Sequence, residues 1–421
     1  MSARRFAILS IGDELMEGRH VDRNAAVLSK GLVALGFEPL EHLTLPDVES
    51  EICAGLQRLG AVADVIVSTG GLGPTLDDMT RAAAAGAVGV GLKRSASSEA
   101  WLRQRFADMG REMSSSNLRQ ADFPEGAVVL ANEMGTAPGF SMRVGQALYF
   151  ALPGPPREMG PMFQGAVAPA LRAAGLVAAV PARQSFFLHA HSESVFAEDV
   201  RAAGDWMAPD ADPRMGVTAG AGLLAVELVA RSLDAESTKR LAARSAAFRE
   251  RFGRWIYSEV EKEPAAVLAR ELIAAGVTVA LAESCTGGRI AAALCAHAGV
   301  SAVFERGWVT YSNTAKEAEL GVSGALLAKH GAVSVEVAGA MARGAAERAG
   351  ARLGLGVTGI AGPGGGSEAK PVGLVCFGLS VDGEVETLER RFPSAERERV
   401  QTWAEAAGLI LLLKGLRRLS G

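Results

Sequence analysis

The residues most able to do chemistry stand at 282–288, reading AESCTGG, where a serine, a cysteine and a threonine precede two glycines. An apolar run at 277–281 comes before them and an Ala-rich segment at 289–295 follows, so the stretch reads as a strand turning sharply into a helix. Glycine lets a backbone approach a ligand closely, and the first N–H groups of a helix lack intrahelical partners. Gly287 and Gly288 are therefore expected to offer donors to a carbonyl oxygen, an oxyanion or a phosphate. A thiolate attacks more readily than an alcohol, and residue type alone does not choose between Ser284 and Cys285. A serine needs a neighbouring base. His297 and His330 lie outside the glycine-framed motifs, whereas Lys316, if withdrawn from water, would lose basicity and accept a proton. Tyr311 could relay or orient it. The bland alternative is a glycine turn with a hydroxyl cap and a solvated surface lysine.

A second group of chemically able residues lies near the amino terminus. The pattern β (6–11), α (from about 22), β (40–45), α (capped by Asp47, to 59), β (62–69) implies a parallel sheet with right-handed crossovers. Loops leaving its first and third strands emerge at one edge. That brings Asp13 and Glu14 toward Asp77 and Asp78, beside the amides of Gly70, Gly71 and Gly73, a combination suited to a divalent cation bridging a phosphorylated ligand. Capping of a helix opening at Met79 is the structural alternative for Asp77 and Asp78.

Two sets of motifs carry a resemblance. IGDELMEGRHVDRN, STGGLGPTLDDMTR, NEMGTAPGF and LPGPPREM, within about the first 170 residues, resemble the amino-terminal domain of the competence/damage-inducible protein A (CinA) family, itself similar to molybdopterin-binding domains. The resemblance implies a metal-dependent (Mg, Mn or Co) ADP-ribose pyrophosphatase yielding AMP and ribose 5-phosphate, with Thr136 of the NEMGTAPGF loop among the binding residues. AESCTGG, FERGWVTYSNTAK, KHGAVS and VTGIAGPGGGSEAKPVG resemble the carboxyl-terminal CinA domain, a nicotinamide mononucleotide deamidase that needs no cofactor. That likeness assigns Ser284 as nucleophile with Tyr311 and Lys316 as partners, and places Ser301, Thr358, Gly359 and Arg397 around the substrate. Two departures stand out: Val335 replaces a family glutamate, with Glu336 following, and the segment leading to Arg397 is longer by one residue and lacks its glycine.

The expected architecture is α/β throughout: a parallel-sheet molybdopterin-binding-like domain (1–170), a small α+β KH-like middle domain for linkage or dimerisation (171–258) and an α/β CinA domain (259–421). The chain of 421 residues, 49% apolar, is long enough for several cores. A net charge of −4, with no GXXG loop in the middle module, argues against nucleic acid. Scattered cysteines and no long apolar segment point to a reduced, cytoplasmic protein with no membrane partner, and the family likeness to a homodimer. His189 and His191 alternate on one strand without a third ligand. The rival reading is a nucleotide- or pterin-binding protein without catalysis.

Overall fold

The computed structural model describes residues 4–189, 192–204 and 206–420, so His191 lies outside the described residues. Residues 1–180 and 181–421 form two compact units.

The first unit holds a six-stranded sheet in the order Glu38–Leu45, Arg5–Ile11, Val65–Thr69, Ala147–Leu152, Gly139–Val144, Val128–Leu130. The first four strands are parallel and the last two antiparallel. Residues 6–11 are buried without alternation because both faces are covered. Phe6 and Ile8 enter one core, Ala7 and Leu9 the other. The wholly parallel sheet expected here is extended at one side by a hairpin whose turn uses Gly145 at φ 57°. The boundary expected at 170 falls about ten residues later, at 180, since Leu171 is fully buried and Leu176 and Val177 pack on the first unit's core.

The second unit contains two sheets. The first is antiparallel, ordered Arg214–Gly220, Leu223–Val229, Arg183–His189, Ile256–Ser258, under an aromatic core of Phe186, Phe196, Trp206, Phe248 and Phe252. The second is ordered Phe304–Val309, Val279–Glu283, Leu353–Gly359, Leu374–Val381, Glu384–Arg391, with its first three strands parallel. The strand LGLGVTG at Leu353–Gly359 decides how helices dock here. Leu353, Leu355 and Val357 share a core with the helix Arg397–Ser420. On the opposite face, a Cβ added to Gly354 or Gly356 would come within 2.3 or 2.2 Å of backbone oxygens of the helix Val335–Ala349. Only bare backbone allows that approach.

Candidate functional site

In the second unit the site forms at the carboxyl ends of the parallel strands. Val279–Glu283 ends beside Val309 and Val357, so Ser284, Thr310 and Thr358 emerge along one edge. The Ser284 N–H is fixed by the Val357 carbonyl at 2.9 Å. Ser312 caps the next helix, Asn313–Leu320, through the Ala315 N–H, and this start turns Lys316 inward. Lys316 is 1% exposed; its Nζ lies 3.2 Å from Ser284 Oγ and 2.8 Å from the Thr310 carbonyl. Burial lowers the lysine pKa, favouring the neutral amine, whose lone pair can accept the serine proton while one N–H stays on Thr310. Cys285 is a thiol: burial first, then the Glu283 charge, pushes it up to about 12. Of the two side chains, Ser284 is the one the structure sets beside the Lys316 amine.

The expected oxyanion donors are rearranged. Glu283, 1% exposed, accepts the N–H groups of Gly288, Ile290 and Ala291 at 3.1, 3.2 and 2.8 Å. The Gly287 N–H goes to the Ser284 carbonyl. The helix start is therefore already neutralised by a carboxylate, and Gly287 and Gly288 serve as backbone hinges at φ 63° and 93°. Among the described residues, the Cys285 and Thr286 N–H groups remain untaken by another residue. Thr286 Oγ1 and Thr310 Oγ1 are buried without a partner.

The remaining residues sort clearly. Thr358 Oγ1 donates to the Ala332 carbonyl at 2.8 Å, tying down the 331–334 loop. Gly359 closes the strand against Val375, and a Cβ there would strike the Leu374 carbonyl at 2.7 Å. Arg397 donates to the Gly362 carbonyl and to the hydroxyl of Tyr311, which is 60% exposed. The phenol thus faces Arg397, and the lysine reaches the serine without it. Ser301 is not in the site. It precedes the strand Phe304–Val309, whose Phe304 pairs with Val279, so it sits at the opposite edge, about a full strand length away. Glu336 pairs with His330 at 3.1 Å.

In the first unit the acidic edge lies along a cavity of about 880 Å³ lined by Glu14, Asp47, Asp77, Asp78, Gly70, Gly71, Gly73 and Thr136. Asp47 is no helix cap. Its carboxylate accepts the Asp13 N–H while Asp13 accepts the Asp47 N–H, and Asp13 does not line the cavity. Desolvation, followed by the nearby charges of Asp13, Glu14 and Asp77, raises the Asp47 pKa against the lowering effect of the Asp13 N–H. Asp78 instead closes its own loop through the Gly73 and Thr75 N–H groups, and the Gly70 N–H is held by the Leu152 carbonyl. Asp78 is thus a loop clasp before it is a ligand. Among the described residues no three His, Cys, Asp or Glu side chains converge as a ready-made metal centre. The donor set still fits a hard cation, since such ions often take one or two carboxylates and complete their shell with phosphate oxygens and water.

Comparison with known proteins agrees on the ancestry of both halves. Residues 261–416 match the model described as "CinA C-terminal domain", and 7–173 that described as "Probable molybdopterin binding domain". A CinA-like protein of Citrifermentans bemidjiense is 42% identical over 94% of this chain and 94% of its own. One from Anaeromyxobacter dehalogenans is 40% identical over 97% and 99%. The chain belongs to the CinA family. A crystal structure of a competence/damage inducible protein from Agrobacterium tumefaciens is 43% identical, covering 38% of this chain and 98% of that one with a TM-score of 0.35.

Several residues of this CinA-family chain escaped the sequence reading. Glu283 stands inside AESCTGG, and a carboxylate ending a strand before a helix start is a recognisable cap. Lys370 holds the His330 and Val333 carbonyls at 2.6 Å, and Gln401 holds that of Cys285 at 2.8 Å. Neither offers a local pattern. In the first unit Asn24, buried, donates to Thr69 Oγ1 and the Gly154 carbonyl, and Asn132 braces the loop of Thr136 through the Met134 and Gly135 N–H groups. No helix among the described residues is long and apolar enough to cross a membrane.

Proposed function

We propose that the carboxyl-terminal domain deamidates nicotinamide mononucleotide by a serine–lysine mechanism. The buried Lys316 amine 3.2 Å from Ser284 Oγ is the observation that carries this reading. Ser284 Oγ attacks the carboxamide carbon as its proton passes to Lys316. The Cys285 and Thr286 N–H groups are the donors left for the developing oxyanion. Collapse breaks the carbon–nitrogen bond, Lys316 returns the proton, and ammonia leaves. Water then attacks the ester, again giving a proton to Lys316, and nicotinate mononucleotide departs as Ser284 is reprotonated. Ser284→Ala should abolish ammonia release while leaving the melting temperature near wild type. Retained turnover by that variant would end the proposal.

For the first unit we propose hydrolysis of ADP-ribose to AMP and ribose 5-phosphate. A cavity of about 880 Å³ has the size of a nucleotide site, and the crowded carboxylates of Glu14, Asp47 and Asp77 supply charge for a divalent cation, with Asp13 bracing Asp47 and Asp78 clasping the 73–75 loop. When bound, such a cation would polarise the pyrophosphate and activate water. The protein's own groups hold the ligand: the Gly70–Gly73 loop and Thr136 border the cavity, and Asn24 and Asn132 stiffen its walls. Removing divalent cations with a chelator should stop AMP formation and spare ammonia release; AMP formation unaffected by chelation overturns the metal requirement. Asp47→Asn should lower AMP formation, and an undiminished rate removes Asp47 from the site.

A further inference from the structure

A second cavity in the 181–421 unit lies where the middle sheet meets the carboxyl-terminal one. It is lined by His189, Gly222, Arg390, Phe392, Trp403 and Lys414, none of which takes part in the Ser284 site. His189 ends the strand Arg183–His189 and is 6% exposed, Arg390 lies near the end of Glu384–Arg391, and Lys414 and Trp403 project from the helix Arg397–Ser420. Two arginines of the neighbouring helix are neutralised: Arg418 by Glu386 and Arg417 by Glu271. Among the described residues, Arg390 and Lys414 have no carboxylate and no hydrogen-bond partner. Burial, then Lys414 and Arg390, pushes His189 down to about 3, and Lys414 is lowered by burial and by Arg390 and Arg418. The charged groups acting on His189, Lys414 and Arg390, are both cations. Like charges gathered in a partly desolvated hollow oppose one another, and a bound anion would reverse that opposition through charge-assisted hydrogen bonds.

We propose that this junction binds a phosphate-type oxyanion, either inorganic phosphate or the phosphate of a mononucleotide whose base lies against Trp403. The cavity, about 50 Å³, exceeds the ~10–15 Å³ that one water needs and is far smaller than a whole-nucleotide pocket. It therefore accepts a compact charged group, and any base must lie outside along the aromatic surface. Phe392 stacks at 5.8 Å from Trp403, and the 392–396 loop leads from this cavity to Arg397.

The test uses the full chain. Histidine ring resonances are followed by NMR, with His189→Gln identifying the His189 signal, while inorganic phosphate or AMP is titrated at constant ionic strength against sodium chloride. A saturable movement of His189 with phosphate, weakened about tenfold or more in Arg390→Gln/Lys414→Gln, supports the site. Movement with AMP that Trp403→Leu weakens, while the phosphate response persists, assigns the nucleotide as the source. A His189 signal unmoved by both ligands, moved equally in the double variant, or moved equally by chloride overturns the proposal. The double variant should melt no lower than wild type in phosphate-free buffer, because it removes two unpaired like charges. A lower melting temperature would make those cations structural and overturn it as well.

Discussion

At the scale of single residues, the decisive quantity is how far an amine has been taken out of water. Lys316 is lowered by burial, so its neutral form becomes available at lower pH than for a surface lysine. If it is the base, kcat/KM for ammonia release should rise with pH through that lowered pKa and level off above it. Lys316→Met should cost about 10²–10⁴-fold and remove the limb. A variant retaining the limb would assign the titration to another group. Cys285→Ala should change the rate little, since the thiol stays protonated well above neutrality. The sequence showed the serine, the lysine and their motifs but not the depth of the lysine, because inward or outward facing is set by where the Ser312 cap starts the helix. Ser301 was misplaced for a directional reason: a residue preceding a parallel strand lies at the edge opposite one that follows its neighbour.

At the scale of elements, two local devices hold the edge on which the site is built. Glu283 occupies the helix start, and Glu283→Ala would strand the buried Ile290 N–H at a cost of about 1–3 kcal/mol, besides freeing the part-buried Gly288 and Ala291 N–H groups. Its expected readout is an earlier urea midpoint, and an unchanged midpoint would show that water replaces the carboxylate. Gly356→Ala should destabilise by about 1–3 kcal/mol or more, because the new methyl meets the Ala338 carbonyl oxygen at 2.2 Å. Helices and strands of this half were legible from periodicity and glycine punctuation. The strand Arg214–Gly220 was not, because its apolar face is only Met215, Val217 and Ala219, weakly buried beyond Met215. Asp47 looked like a cap because it precedes a helix, yet its carboxylate crosses to Asp13 in the neighbouring loop, a contact invisible to local spacing.

At the scale of the whole molecule, composition pointed to a folded, mildly acidic chain, and the motifs divided it into two parts that match two different family models. It could not show that the middle module and the carboxyl-terminal domain cluster as one unit, since that contact is made by side chains far apart in sequence, among them His189, Arg390 and Lys414. This junction has a pH signature. His189 falls from an ordinary 6.5 to about 3 in the folded state, and the charged groups facing it, Lys414 and Arg390, remain cationic across that range. As pH drops from about 6.5 toward 3, the unfolded chain takes up this proton first, so stability is lost over that window. His189→Gln should flatten the loss in a series of melting temperatures, and an identical acid profile would exclude the histidine as its source. The strand with leucines on one side and bare glycines on the other has a broader consequence. Slipping it by one residue would drive isobutyl groups into a gap wide enough only for hydrogen. The two helical coverings cannot be exchanged, and the chain accepts a single assembly of this half much as a lock accepts one key.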